Sequence, residues 1–271
     1  MRLLLIGDIV GRPGKYACSQ IIPRLIRDEN IDFVLANAEN ASDGSGLTSA
    51  LFQKLRHYGI DVCTMGDHIY RRREILPLLE AEEHIVRPAN LPREATGHEL
   101  ALVESRNGTR VAVISVLGRT FMNVRSDCPY HAVDRVLEKI PRDVKIIIVD
   151  MHAEATSEKV AMGWHLDGRV SVVAGTHTHV QTADEHILPA GTAYITDLGM
   201  TGPHDSVLGR DRRAVVKSLV TGMPHAYMVA KDDVRLLGAL VEVDYATGRA
   251  TTIKRINIPA PDSAADEGEV Y

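Results

Sequence analysis

The 271-residue sequence has little cysteine, and no pairing pattern in what it has. Cys18, Cys63 and Cys128 are scattered without Cys-x-x-Cys spacing, and an odd count in a chain this long reads as buried thiols in a reducing, cytoplasmic compartment. Neither a disulfide framework nor a structural zinc of the cysteine-rich type is expected. Long apolar runs are also missing. The opening MRLLLIGDIVGR meets Asp8 after about five apolar residues, far short of a signal-peptide core or a membrane span, so it reads as a first β-strand. Positive charge is not in excess: a formal net charge of −5 and a pI near 6.2 argue against a surface that wraps long nucleic acid, while leaving room for a small anionic substrate. No repeat of fixed period and no long linker interrupts the chain. Residues 1–258 are read as one domain, and the Pro-, Ala- and acid-rich stretch 259–271 as a frayed tail.

What is present is ordinary in bulk, 45% apolar and 25% charged, but patterned. Short Val-, Ile- and Leu-rich runs at 3–7, 33–37, 62–66, 146–150 and 170–175 alternate with amphipathic stretches at 14–28, 47–58, 70–82, 130–139, 156–165 and 211–221. That alternation predicts an α/β fold, with strands buried between helices. Two hairpins make the sheet mixed. One is 98–105 with 109–117 around Asn107-Gly108, whose positive φ angles suit a tight primed turn; the other is 234–244 with 250–258.

Ligands in open α/β sheets collect where strands end. Here the strand ends carry Asp8, Asn37-Ala38-Glu39-Asn40, Asp67-His68, Asp150-Met151-His152 and Thr176-His177-Thr178-His179. Singly, an aspartate after a strand is an ordinary cap and a histidine an ordinary core residue. Five such ends on one edge form a metal-binding constellation. In an extended segment His177 and His179 would share a face with Cα atoms roughly 6–7 Å apart, suited to one imidazole on each of two ions about 3.5–4 Å apart. Glu39 is the candidate bridge, Asn40 a neutral oxygen ligand, and Asp8 and Asp67 further negative charge. Oxygen and nitrogen donors without thiolates suit manganese or iron, with zinc an alternative.

The strings LLIGDIVGRPGK, NAENAS, MGDH, VDMHAEATSEK, AGTHTHVQTADE and GTAYITDLGMTGPHDSVLG, in this order over most of the chain, resemble the calcineurin-like metallophosphoesterases, and within them the YmdB-type bacterial phosphodiesterases. The resemblance implies their fold, layered mixed β-sheets flanked by helices. It implies two divalent or mixed-valence ions, one held by Asp8, Glu39, Asn40 and His179, the other by Glu39, Asp67, His152 and His177. Where the wider superfamily has Asp-x-His after the first strand, this chain has Asp8-Ile9-Val10, and Asn40 stands in. Where the family pattern is Gly-Asn-His, this chain has Gly66-Asp67-His68, a carboxylate in place of an amide.

The implied activity is phosphodiester hydrolysis by metal-activated hydroxide, on cyclic nucleotides of the 2′,3′- or 3′,5′-cAMP class, with His68 protonating the leaving oxygen. Thr201 and His204, in the loop MTGPHDS, are candidate substrate contacts; Arg71, Arg72 and Arg73 read as a solvated helix face. A homo-oligomer is the family habit, although no apolar stripe in the sequence marks an interface. Two other classes compete. A dinucleotide-binding oxidoreductase fails because Gly7, Gly11 and Gly14 are spaced GxxxGxxG rather than GxGxxG. A metal-binding regulatory or scaffold protein, with turnover lost through Asp67, stands as the alternative.

Overall fold

The computed structural model describes residues 1–262. In chain order they form β1 (Arg2–Ile6), β2 (Asp8–Ile9), α1 (Gly11–Asp28), β3 (Phe33–Asn37), α2 (Ser49–His57), β4 (Val62–Thr64), α3 (Leu76–Ala81) and β5 (Ile85–Val86). There follow β6 (Ala101–Glu104), β7 (Arg110–Leu117), α4 (Pro129–Leu137), β8 (Ile146–His152), α5 (Thr156–Leu166) and β9 (Val172–Thr176). The last elements are β10 (His186–Ile187), β11 (Ala193–Ile195), β12 (Met200–Pro203), α6 (Arg212–Thr221), β13 (Val234–Val243) and β14 (Ala250–Pro259).

Two mixed sheets result. One has eight strands in the order β2-β12-β13-β1-β3-β4-β5, with β14 on the remaining edge of β13; the other has six, β10-β11-β9-β8-β7-β6. In each, the consecutive β-α-β strands run parallel and the hairpin strands antiparallel. The period-2 alternation of side chains explains why the central strands are apolar throughout. Leu3 and Leu5 of β1 enter a core shared with Ile146 and Ile148 of β8, between the sheets. Leu4 and Ile6 face the other way, onto α1 and α2, while Ile147, Val149 and Met151 face α4 and α5. Helices therefore cover the outer face of each sheet, giving four layers. No helix of the described residues is long and apolar enough to cross a membrane.

Several boundaries differ from expectation for local reasons. Helix α1 starts at Gly11 rather than at 14, because Gly-Arg-Pro-Gly is a first turn here: a Cβ on Gly14 would lie 2.4 Å from the Thr201 carbonyl, so glycine permits the close approach of α1 to β12. The expected helix 70–82 shortens to a 3₁₀ turn over Arg73–Ile75 and α3, with Pro77 in the first turn where its missing N–H costs nothing. In the first hairpin Gly108 has φ 82° but Asn107 stays at negative φ, so the turn is closed by Gly108 N–H donating to Ser105 O rather than by a primed turn. Strand β14 runs through Pro259 and Ala260 N–H bonds Val234 O, so those residues belong to the sheet; the rest of the expected tail, 263–271, lies outside the described residues. Helix α6 buries only Val215 and exposes Val216, Leu219 and Val220, an apolar face that the sequence pattern did not reveal.

Candidate metal centre

The parallel strands of both sheets end at one rim. Asp8 follows β1, Glu39 and Asn40 follow β3, Asp67 and His68 follow β4, His152 ends β8, and His177 and His179 follow β9. The structure thus brings all eight residues together. Ligand atoms of Glu39, Asp67, His152 and His177 lie within 4.8 Å of one another. His152 Nε2 is 3.1 Å from Asp67 Oδ1 and 3.3 Å from Glu39 Oε1, and His177 Nδ1 is 3.1 Å from His152 Nε2. A second group adjoins it: His179 Nε2 is 4.0 Å from Asp8 Oδ1 and 3.2 Å from Asn40 Nδ2. Glu39 adjoins both groups, since its Oε1 also accepts from Asn40 Nδ2–H at 3.5 Å, while the Asn40 oxygen expected as a ligand is turned to His68 Nδ1 at 2.8 Å.

The charge of this cluster fits cations. Asp8 and Glu39 are wholly buried, and among the described residues no Lys or Arg pairs with either or with Asp67. Burial pushes the Asp8 carboxyl up to about 7, only partly offset by His152. Its Oδ1 has no hydrogen-bond partner, a costly state for a buried acceptor unless a ligand takes the lone pair. Burial opposes ionisation of Glu39 and Asp67 too, but contacts with His152 hold both below the usual carboxylate range, helped at Asp67 by His177. His152 shows the reciprocal response: burial lowers its pKa, yet Glu39 and Asp67 drive it well above the ordinary value. Carboxylates and imidazoles without a basic side chain among them make a donor set fit for a metal ion.

Hydrogen bonds on the far side of each ring decide which nitrogen faces the centre. His179 Nδ1–H donates to Leu208 O at 3.1 Å, which leaves Nε2 with its lone pair toward Asp8. His152 Nδ1 meets Thr176 Oγ1 at 2.9 Å, and that hydroxyl donates to Asp150 Oδ1 at 2.6 Å. His177 Nε2 meets Glu154 Oε2 at 3.3 Å, turning Nδ1 inward. His68 is placed differently. Its backbone N–H donates to Glu39 Oε2 and its Nδ1 lies 2.8 Å from Asn40 Oδ1, so the ring sits beside the cluster with Nε2 outermost, 3.5 Å from Asp67 Oδ2.

Three expectations need correction. The segment 177–179 is not extended: His177 has φ 95° and His179 φ 64°, so the histidines converge through a strained turn rather than by strand alternation. Thr201 is fully buried, and its hydroxyl is committed to the backbone of Leu237, which closes it to a ligand. His204 lines a cavity that His179 also lines. Arg71, Arg72 and Arg73 are exposed, as expected, but they form no helix face, since Arg71 and Arg72 precede the 3₁₀ turn that begins at Arg73. Sequence reasoning put Asn37, Asp150 and Thr176 at strand ends without a role, and missed that with Thr64 they form one hydrogen-bonded group behind His152; it missed the buried pair Lys159–Asp197 at 2.6 Å altogether. Asp197 also accepts from Thr178 N–H and Oγ1–H, between the two histidines. Period 2 could have flagged Asp150 beside His152 and Asn37 beside Glu39; nothing local signals Lys159.

Comparison with known proteins agrees with this geometry. A 2′,3′-cyclic-nucleotide 2′-phosphodiesterase of Bacillus subtilis is 43% identical over 258 residues, 95% of this chain and 97% of the relative. A solved structure of a hypothetical protein from Thermus thermophilus superposes with a TM-score of 0.90 at 37% identity, covering 96% of this chain and all of that one. A novel phosphatase from Mycoplasma pneumoniae gives a TM-score of 0.90 at 31% identity, over 97% of this chain and 94% of its own. Fold and site together define a hydrolase acting on phosphoric ester bonds, with the metallophosphoesterase architecture. Residues 4–256 match the YmdB-like protein family, and the chain belongs to it.

Proposed function

We propose that residues 1–258 act as one unit, a dinuclear metal-dependent phosphodiesterase. Its substrate class is the cyclic nucleotide, with 2′,3′-cyclic nucleotides first because the Bacillus subtilis relative carries that name, and 3′,5′-cAMP second. The observation that carries this reading is Glu39, a fully buried carboxylate whose Oε1 lies between the groups, 3.3 Å from His152 Nε2 and 3.5 Å from Asn40 Nδ2. Asp8, Glu39, Asn40 and His179 would hold one ion, and Glu39, Asp67, His152 and His177 the other. Iron or manganese, with zinc an alternative, would supply there a water ionised near neutral pH and positive charge against the phosphoryl oxygens.

The chain supplies the rest. His68 Nδ1, 2.8 Å from Asn40 Oδ1, keeps its proton there as donor, so Nε2 is the atom that gives a proton to the leaving oxygen. Thr176 and Asp150 keep the His152 ring from rotating. Hydrolysis of bis(p-nitrophenyl) phosphate with added manganese, compared with His177→Ala, tests the reading. Turnover in the parent and loss of turnover and metal in the variant are expected; a parent that binds manganese without hydrolysis would favour the regulatory alternative. The same reading places the protein in the cytoplasm and has it self-associate, covering the apolar face of α6; sedimentation velocity reads the latter.

A further inference from the structure

A cavity of about 400 Å³ shares the His179 wall with the candidate metal centre and is not used by the chemistry above. Its floor includes Met200 and Leu237. Met200 pairs in register with Asp8, and Leu237 with Asn257, which also lines the cavity. The floor therefore crosses β12, β13 and β14, two strand spacings or roughly 10 Å, and begins one strand away from Asp8, a predicted ligand. From Asp8 to its far strand is the reach of one nucleotide from phosphorus to the outer edge of its base.

The lining matches a flat, polar-edged ring. Val180 and Leu208 stand at the cavity 58% and 51% exposed, apolar surface that a base would cover. Between them are polar atoms of known role. His204 Nε2–H donates to Met200 O at 3.1 Å, and burial holds this imidazole below the ordinary histidine range, so Nδ1 remains an acceptor. Asn257 takes Arg235 Nη1 on Oδ1 at 3.4 Å and has its Nδ2 hydrogens to donate. Gln181, Ser206 and Arg255 also line the cavity but are engaged with backbone oxygens of Leu198, Gly238 and Pro203 and with Glu185. His204 and Asn257 therefore supply the open acceptor and donor beside apolar walls, the features of a small-molecule subsite.

We infer that this cavity binds the nucleobase of the substrate, with His204 and Asn257 reading its edge and Val180 and Leu208 covering its faces. The inference rests on the phosphodiesterase reading and adds a specificity site to it. Asn257 is exposed, so its truncation leaves the core intact. The test is Asn257→Ala, assayed on 2′,3′-cyclic AMP and on base-free bis(p-nitrophenyl) phosphate. The ratio of the two kcat/KM values is expected to fall about tenfold, carried by KM, as for one lost hydrogen bond. An unchanged ratio, whether both values fall or neither does, would overturn the inference. Calorimetric binding of adenosine 3′-monophosphate decides it independently of turnover: about tenfold weaker binding by the variant supports the subsite, and equal binding sinks it. If the parent hydrolyses neither substrate, the phosphodiesterase reading fails, and the binding arm still judges the cavity.

Discussion

At residue 66 there is no room for a side chain: a Cβ there would lie 2.3 Å from His152 Nε2 and 2.4 Å from Glu39 Oε2. Gly66→Ala should therefore displace two predicted ligands at once, and elemental analysis is expected to find the metal content at least halved in a protein that still folds by circular dichroism; full metal occupancy would refute the geometry. Under the proposed roles, substitutions at His68 and Asp67 should separate proton transfer from metal binding. His68→Ala should lower turnover on the order of 10²-fold or more with metal retained, because its ring lies beside the cluster, whereas loss of metal would reassign it as a ligand. Asp67→Asn should change which metal is preferred without abolishing hydrolysis, since the amide keeps an oxygen toward His152 and His177 while removing one charge; a variant without metal or activity would count against that. These positions were legible in the sequence because each follows an apolar run. The positive φ of His177 and His179 was not legible, since spacing of two reads as strand whether or not the strand continues.

The element that sets the site is the turn after β9, and its support comes from α5. Lys159 is fully buried on a helix face where hydropathy expects an apolar residue, and its Nζ meets Asp197, which in turn holds Thr178 through both its N–H and its hydroxyl. Removing the lysine leaves a buried carboxylate unpaired. Lys159→Met should cost about 3–5 kcal/mol of stability, read by urea denaturation, and the double variant Lys159→Met with Asp197→Leu should recover part of it. Full additivity of the two changes would show that the pair does not act as a unit. No sequence pattern pointed to this pair, because its members are 38 residues apart, one within helix α5 and the other just after β11. The same blindness applies to β2, β5, β10, β11 and β12. Runs of two to four residues carry too little periodicity to register, and β12 even contains Gly202 and Pro203.

At the scale of the whole molecule, the five strand ends and both hairpins could be anticipated, yet nothing in one chain says how one sheet's edge is tied to the other's. Glu99 does so, just before β6 at the edge of the six-stranded sheet. Its carboxylate takes Arg87, which follows β5 at the edge of the eight-stranded sheet, at 3.2 Å, and Arg135 of α4 and Lys139 at 2.7 and 3.1 Å. Burial alone would raise its pKa, but hydrogen bonds from Arg135 and Lys139 outweigh that and hold it at about 2. A carboxyl whose folded pKa lies below its unfolded value near 4.5 binds fewer protons when folded, so its stabilisation is complete above that value and disappears as pH falls toward 2. Because the cluster is partly exposed and screened, Glu99→Gln should cost only about 1–2 kcal/mol at pH 7. Urea titrations of parent and variant across pH 2 to 7 should then converge at the acid end, the parent losing its advantage below about pH 4.5. A difference that stays constant over the whole range would mean that Glu99 acts through packing, not charge, and that the sheet edges are held together by the shared apolar core and by backbone hydrogen bonds such as Ala89 N–H to Ser115 O.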